Sequence, residues 1–191
     1  MRSEKAAEKK SAEKLPEKIQ RSERSVKDYQ YFILRLIILV VALWLLFFVF
    51  IGVMKMPTGD MYPRIDAGDL VLFYRLDKSV KAQDIIVIKK EVPTLEGKQT
   101  MILRVVAVAG DTVDIQDNHL IINGNTVVEP NIFSPTPVYE GHTEFPLTLQ
   151  EGQCFVLADG RQGGSDSRFF GPVDQRDIVG TVITIIRRNN L

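Results

Sequence analysis

The sequence has few of the residues that often form reactive or metal-binding sites, with one cysteine and two histidines. Its formal net charge is zero. Cys154 cannot form an intrachain disulfide, and its place at the start of an apolar run predicts a buried thiol rather than a redox centre. His119 and His142 lie in turn-like sequence without Cys or acidic ligand spacing, which favours exposed loop residues over a metal site. Gly163-Gly164 is too short for a phosphate-binding loop. We therefore expect no metal, no cofactor and no nucleic acid.

Charge is unevenly distributed along the chain. Residues 1–28 carry nine Lys/Arg against six Asp/Glu and almost no large apolar residues, so this segment cannot form a core of its own. It is expected to be disordered or a charged helix interrupted at Pro16. Its role is either a solvated tail or a docking tail for a cytoplasmic partner or lipid headgroups. Residues 55–191 carry a net charge of −4, and this contrast indicates two compartments.

An uncharged apolar run of nineteen residues, 36–54, separates these two parts. At about 1.5 Å per residue, a helix of this length nearly spans a hydrocarbon core. The rival interpretation is a cleavable signal peptide, which fits poorly because bulky residues stand where small ones would be needed. We therefore predict a tail over 1–34, a transmembrane anchor over 35–55 and a second domain over 56–191. Aromatic residues at the start of the run favour the membrane interface: Tyr29, Tyr31 and Phe32.

The excess of basic residues before the run predicts the orientation of the anchor. By the positive-inside rule, Arg35 and the basic tail stay in the cytoplasm. The sequence thus predicts a single-pass plasma membrane protein whose C-terminal domain, residues 56–191, is extracellular.

After the run, the pattern of apolar residues changes to that of short β-strands. Asp117-Asn118 and Asn123-Gly124 are turn sequences that tolerate positive φ. Residues 129–147 contain four prolines and predict an irregular surface excursion. No helix is expected here beyond a turn near Asp174. The fold class is therefore mainly β, an antiparallel domain behind one N-terminal helix. The predicted strands are 70–75, 85–88, 101–109, 112–115, 120–122, 154–157 and 178–186.

Four short motifs in this domain resemble, in order, the boxes of type I signal peptidases. Met56 to Pro63 resembles the nucleophile box, whose pattern is Ser-Met-x-Pro. Gly68-Asp69 and the following strand resemble the second box, and Leu103 to Asp111 the third. Asp159 to Gly171 resembles the last, which ends in Ser-x-Asp-Ser-Arg. Each motif is weak alone, but four in order behind an anchor imply the signal peptidase fold.

The resemblance also implies that the catalytic groups are missing. The nucleophilic serine falls on Asp60, the lysine base on Leu103 and the serine that positions the lysine on Gly164. Thr58 falls where some members have a hydroxyl that helps to stabilise the oxyanion. Other matching positions are intact and are expected to be structural: Arg104, Asp159, Asp166 and Arg168.

No neighbouring residue replaces the lost dyad. Lys98, Lys89 and Lys90 lie outside the motif, Arg104 is too basic to accept a proton, and shifting to Ser165 breaks the register of the last box. Asp60 itself lacks the second carboxylate of an aspartic protease. We expect it to occupy or cap the former oxyanion site, and Leu103 to fill the lysine site with apolar volume.

These observations predict a catalytically inactive signal peptidase homologue that binds an extended segment by strand addition. Resemblance to signal-peptidase-like proteins encoded beside Gram-positive pilus genes favours an assembly factor or chaperone for pili, acting with pilin and sortase. The alternatives are an active signal peptidase with an atypical site and a regulator that competes for precursors. Met61 and Tyr62 line the groove or pack on lipid or core. The candidate groove residues are Met56, Pro57, Thr58, Asp60, Met61, Tyr62 and Pro63.

Overall fold

The computed structural model describes residues 17–93, 95–132, 134–139 and 142–187, with side chains from Val26 onward. The chain divides into two compact units, one ending at Phe48 and one beginning at Val49. The first sixteen residues, which are nearly half of the predicted tail over 1–34, lie outside the described residues.

A single long helix, α1, covers Glu17–Phe50. Its segment Val26–Phe50 has a mean hydropathy of 3.0 and no buried residue in its most apolar part, and it is long and apolar enough to cross a membrane. The charged residues from Glu17 onward belong to this helix, in agreement with the charged-helix alternative. The predicted end of the anchor at residue 55 is wrong, because Ile51–Lys55 forms strand β1. Gly52 disfavours continuation of the helix, and the β-branched Ile51 and Val53 favour this strand, which pairs with the next one.

The second unit consists mainly of antiparallel strands, in agreement with the predicted fold class. The strands after β1 are β2 (Leu70–Tyr74), β3 (Ile85–Glu91), β4 (Lys98–Val108), β5 (Thr112–Gln116), β6 (His119–Ile122), β7 (Asn125–Thr126), β8 (Leu147–Thr148), β9 (Gln153–Leu157), β10 (Val173–Asp174) and β11 (Ile178–Ile186). A seven-stranded sheet has the order β1-β2-β11-β3-β4-β9-β10, and a four-stranded sheet has the order β7-β6-β5-β8.

Both predicted tight turns are confirmed. Asp117 and Asn118 have φ of 49° and 63° and join β5 to β6, while Asn123 and Gly124 have φ of 53° and 79° and join β6 to β7. Positive φ at two successive residues matches the right-handed twist of the flanking strands. These turns fix the register in which Val113 faces Ile122 and Ile115 faces Leu120.

Hydrogen bonds from two buried arginines hold the irregular segment 129–147 to the domain. Arg161 is fully buried and donates to Glu129 at 2.6 Å, Thr136 at 3.0 Å and the Ala158 carbonyl at 2.8 Å. Arg168, also fully buried, donates to the Pro137 carbonyl at 3.1 Å. The predicted irregular surface excursion is confirmed, since Thr136 alone of its described residues is buried, and charged side chains anchor it from inside the domain.

A short helix, α2, covers Ser167–Phe170 and was not predicted. Asp166 caps it, because its side chain accepts a hydrogen bond from the Arg168 backbone N–H at 3.1 Å. A four-residue helix is too short for a periodic apolar pattern, so the capping aspartate was its only sequence signal. The predicted turn near Asp174 is present as a 3₁₀ helix over Gln175–Asp177.

Gly180 allows β11 to pass close to β2. A Cβ atom at this position would lie 2.2 Å from the Tyr74 carbonyl oxygen, which belongs to the backbone and cannot swing away. We expect Gly180→Ala to lower the free energy of unfolding by about 1–3 kcal/mol, since overpacking forces backbone shifts. Urea unfolding of the full chain in detergent, followed by circular dichroism, measures this loss.

Gly59→Ala is the matched control for that prediction, because a Cβ there meets nothing within 4 Å. Its effect should stay within about 0.5 kcal/mol of zero. Equal unfolding midpoints for the two alanine variants would contradict the close approach at Gly180.

Candidate functional site

The Asp60 carboxylate is the only charged group at the centre of the first motif. It lies in the loop between β1 and β2, is partly exposed, and accepts a hydrogen bond from the Thr58 hydroxyl at 2.6 Å. Its backbone carbonyl accepts from the Gly160 N–H at 2.7 Å. The hydroxyl expected at the oxyanion site is therefore bonded to this carboxylate. Among the described residues, no backbone N–H bonds to the carboxylate, so this part of the capping expectation is not met.

A cavity of about 270 Å³ opens beside Asp60. Apart from Asp60, every lining residue is formally uncharged, and most are apolar. Leu103 lies in this lining and is only 2% exposed, so its side chain provides an apolar wall. The lining residues are Met56, Pro57, Thr58, Asp60, Leu95, Gln99, Thr100, Met101, Ile102, Leu103 and Ser165.

Gly164 lies next to Asp60, behind the cavity. A Cβ at Gly164 would stand 3.8 Å from the Asp60 Cβ, but also 2.5 Å from the Ala158 Cβ. Real Cβ contacts are essentially never that short, so a side chain at position 164 would require Ala158 to shift. The two small residues therefore act as a pair, and Ala158 occupies the space that a residue at 164 would need.

Two buried ion pairs hold the segment that carries Gly164. Arg104 forms a two-bond pair with Asp159, at 2.7 and 2.6 Å, which raises the pKa of Arg104 above its ordinary value. Asp166 accepts from the Ala158 N–H at 3.1 Å and pairs with Arg168 at 2.7 Å. The wall of the cavity is thus fixed by buried, mutually satisfied charges.

The cavity borders a strand edge that is free within the described part of the chain. Lys98 to Arg104 of β4 pair with β3, whereas the pairing of β4 with β9 begins only at Arg104. The first half of β4 therefore has a hydrogen-bonded neighbouring strand on one side only, within the described residues. Its other side offers backbone N–H and C=O groups of the kind that an added strand pairs with.

Comparison with known proteins identifies the family. A family model described as signal peptidase, peptidase S26, matches residues 6–186. The chain belongs to this family. Its helix and mainly antiparallel domain agree with the signal peptidase fold expected from the four motifs.

Individual signal peptidases match over much of the chain. A probable signal peptidase I-1 of Synechocystis sp. is 30% identical over 154 residues, covering 77% of this chain and 76% of that protein. Signal peptidase I V of Bacillus subtilis is 28% identical over 141 residues, covering 67% and 81%. The thylakoidal processing peptidase 1 of Arabidopsis thaliana is 30% identical over 136 residues, and the match spans 39% of its length.

One solved structure is also among the proteins to which the chain is similar. The crystal structure of a signal peptidase I from Enterococcus faecalis V583 is 31% identical, with a TM-score of 0.43. The match covers 56% of this chain and 97% of that chain.

Not all predicted groove residues of this signal peptidase homologue lie at the cavity. Four of them line the cavity: Met56, Pro57, Thr58 and Asp60. Met61 is fully buried, so it packs in the core and does not line the groove. Tyr62 is 62% exposed and, like Pro63, does not line the cavity. The turn that begins at Asp60 separates these two groups.

Sequence reasoning missed the opposite wall of the cavity. Leu95, Gln99, Thr100, Met101 and Ile102 lie on β4 or the loop before it. Their only signal was proximity in sequence to Leu103. The partnership of Ala158 with Gly164 had no sequence signal, because it depends on the return of the chain after β9.

The other candidate groups lie elsewhere. Lys90 and Lys98 each approach Asp177 at 3.9 Å, and neither they nor Lys89 line the cavity. His119 hydrogen-bonds to the Asp117 carbonyl at 2.8 Å, and His142 packs on Phe169. Cys154 is 1% exposed, and burial raises its pKa to about 12, as expected for an unreactive thiol.

Proposed function

We propose that this chain is a membrane-anchored signal peptidase homologue that binds an extended segment of a partner protein and does not cleave it. The observation that carries the proposal is the composition of the cavity beside the free edge of β4. A carboxylate stands at the position assigned to the nucleophile, and Leu103 stands at that of the base. The free strand edge supports binding, since it can pair with an added strand.

The lack of any base other than Asp60 in the described lining supports the loss of cleavage. A serine-type mechanism needs an unprotonated base within hydrogen-bonding reach of the nucleophile. Asp60 is the only titratable residue in the cavity lining, and its neighbours there are aliphatic or uncharged polar groups. Arg104, the basic residue next to Leu103, is committed to Asp159.

The proposed orientation places the basic N-terminal segment in the cytoplasm and the domain over 56–191 outside. It follows from the excess of Lys and Arg before the apolar run. The proposed partners are pilin subunits and a sortase, so the protein would act as an assembly factor or chaperone for surface pili. This step rests on the resemblance to signal-peptidase-like proteins encoded beside pilus genes.

Cleavage and capture assays test the two parts of the proposal. The purified full chain in detergent should cleave a signal-sequence peptide no faster than the Asp60→Ala variant does. Cleavage that Asp60→Ala abolishes would overturn it in favour of an active peptidase with an atypical site. Crosslinking in cells should capture pilin and sortase, whereas capture of many unrelated precursors would indicate a competitor of signal peptidases.

A further inference from the structure

We propose that the cavity beside Asp60 receives a lysine side chain from the bound segment. This inference rests on the proposed binding function and specifies what the site recognises. A neutral hydroxyl at position 60 would leave the cavity without charge, whereas Asp60 gives it a single negative charge. The occupant should therefore carry a positive charge that reaches this carboxylate.

The carboxylate has capacity for a further partner. Thr58 donates to Oδ2 at 2.6 Å, and the hydrogen bonds of the described residues leave Oδ1 unused. Nor does Asp60 form an ion pair within the part of the chain that the structure describes. An incoming cation would thus meet an uncompensated charge at the edge of an apolar cavity, where the effective dielectric constant is below that of water.

The remainder of the lining suits an aliphatic chain. Two apolar residues of the lining offer accessible surface, since Leu95 is 52% exposed and Met101 is partly exposed. A lysine side chain has a four-carbon apolar stem with a charged end, so it can place methylene groups on these residues and its ammonium at Asp60. Ser165 also lines the cavity, and its hydroxyl is a second acceptor.

Lysine fits the free oxygen better than arginine does. A guanidinium forms its strongest pairs with both oxygens of a carboxylate at once. Here the Thr58 hydroxyl already bonds to Oδ2, so a two-bond pair would have to share that oxygen with it. An ammonium is a compact charge that needs only Oδ1.

Peptide binding to the full chain in detergent tests this inference. The probes are blocked seven-residue peptides of alternating Val and Thr, with Lys, Arg or norleucine at the central position. Norleucine keeps the apolar stem and lacks the charge. Isothermal titration should show the Lys peptide binding about tenfold or more tighter than the norleucine peptide, since hydrogen bonds between charged groups are the stronger ones. The Arg peptide should fall between them.

Two variants locate the effect. Asp60→Asn keeps the shape and removes the charge, so the preference for Lys over norleucine should disappear. Glu151→Gln removes an exposed carboxylate outside the cavity and should leave the preference unchanged. Equal binding of Lys and norleucine peptides to the wild type, or a preference that survives Asp60→Asn, overturns this inference but leaves segment binding intact. If none of the peptides binds, both this inference and the proposed groove fall.

Discussion

Arg168→Met is expected to lower the free energy of unfolding by about 3–5 kcal/mol, the cost of leaving a buried partner charge uncompensated. Arg168 and Asp166 are both fully buried, and their side chains share two hydrogen bonds, at 2.9 and 2.7 Å. Arg168 also bonds to Pro137 and lies 4.7 Å from the centre of the Tyr139 ring. The loss would remove a large share of the 5–15 kcal/mol typical of a folded domain.

Arg176→Met is the matched control for this loss. Its guanidinium pairs with Asp174 at 3.3 Å, but the side chain is 83% exposed, so the pair should contribute no more than about 1 kcal/mol. Urea unfolding of both full-length variants in detergent makes the comparison. Similar midpoints for Arg168→Met and Arg176→Met would mean that the buried pair does not hold the segment around Gly164.

The strands β2 to β6, β9 and β11 were predictable from the sequence because apolar residues alternate or cluster over short lengths between turn residues, whereas β1, β7, β8 and β10 were missed. The end of the anchor was not predictable, since Ile51 and Val53 continue the apolar run and hydropathy alone cannot separate a helix from a strand. The pairing of β1 with β2 decides it, and such pairing depends on residues twenty positions away.

The cavity was predictable only in part, for a related physical reason. The motif at Met56 to Asp60 identified one wall, whereas the other is formed by β4 and the loop before it. Buried charges were also hard to foresee. Arg161 is fully buried, although arginine is usually exposed, and only its three partners in space make this position favourable.

A variant combining Asp60→Ser, Leu103→Lys, Gly164→Ser and Ala158→Gly is expected to cleave a signal-sequence peptide. Positions 60 and 103 line one cavity, and 164 adjoins Asp60, so a serine, a lysine and a second hydroxyl would meet there. Leu103 is 2% exposed, so a lysine in its place would be desolvated. Desolvation lowers the pKa of a lysine and supplies the unprotonated base that the reaction requires.

The fourth substitution follows from the structure rather than from the motif. A Cβ at position 164 would lie 2.5 Å from the Ala158 Cβ, so the serine cannot fit while Ala158 is present. The triple variant without Ala158→Gly should therefore be unstable or inactive. Ala158→Gly retains the backbone groups that bond to Asp166 and Arg161.

Rates of peptide cleavage by the full chain in detergent provide the measurement. The quadruple variant should exceed the same variant with Leu retained at position 103 by about 100-fold or more, the lower range for a positioned proton acceptor. Folding of each variant is checked by its urea midpoint. A quadruple variant that folds but is inactive would mean that the cavity no longer presents a peptide in line with position 60. Activity in the triple variant would instead show that Ala158 gives way, so that the two small residues do not exclude the hydroxyl.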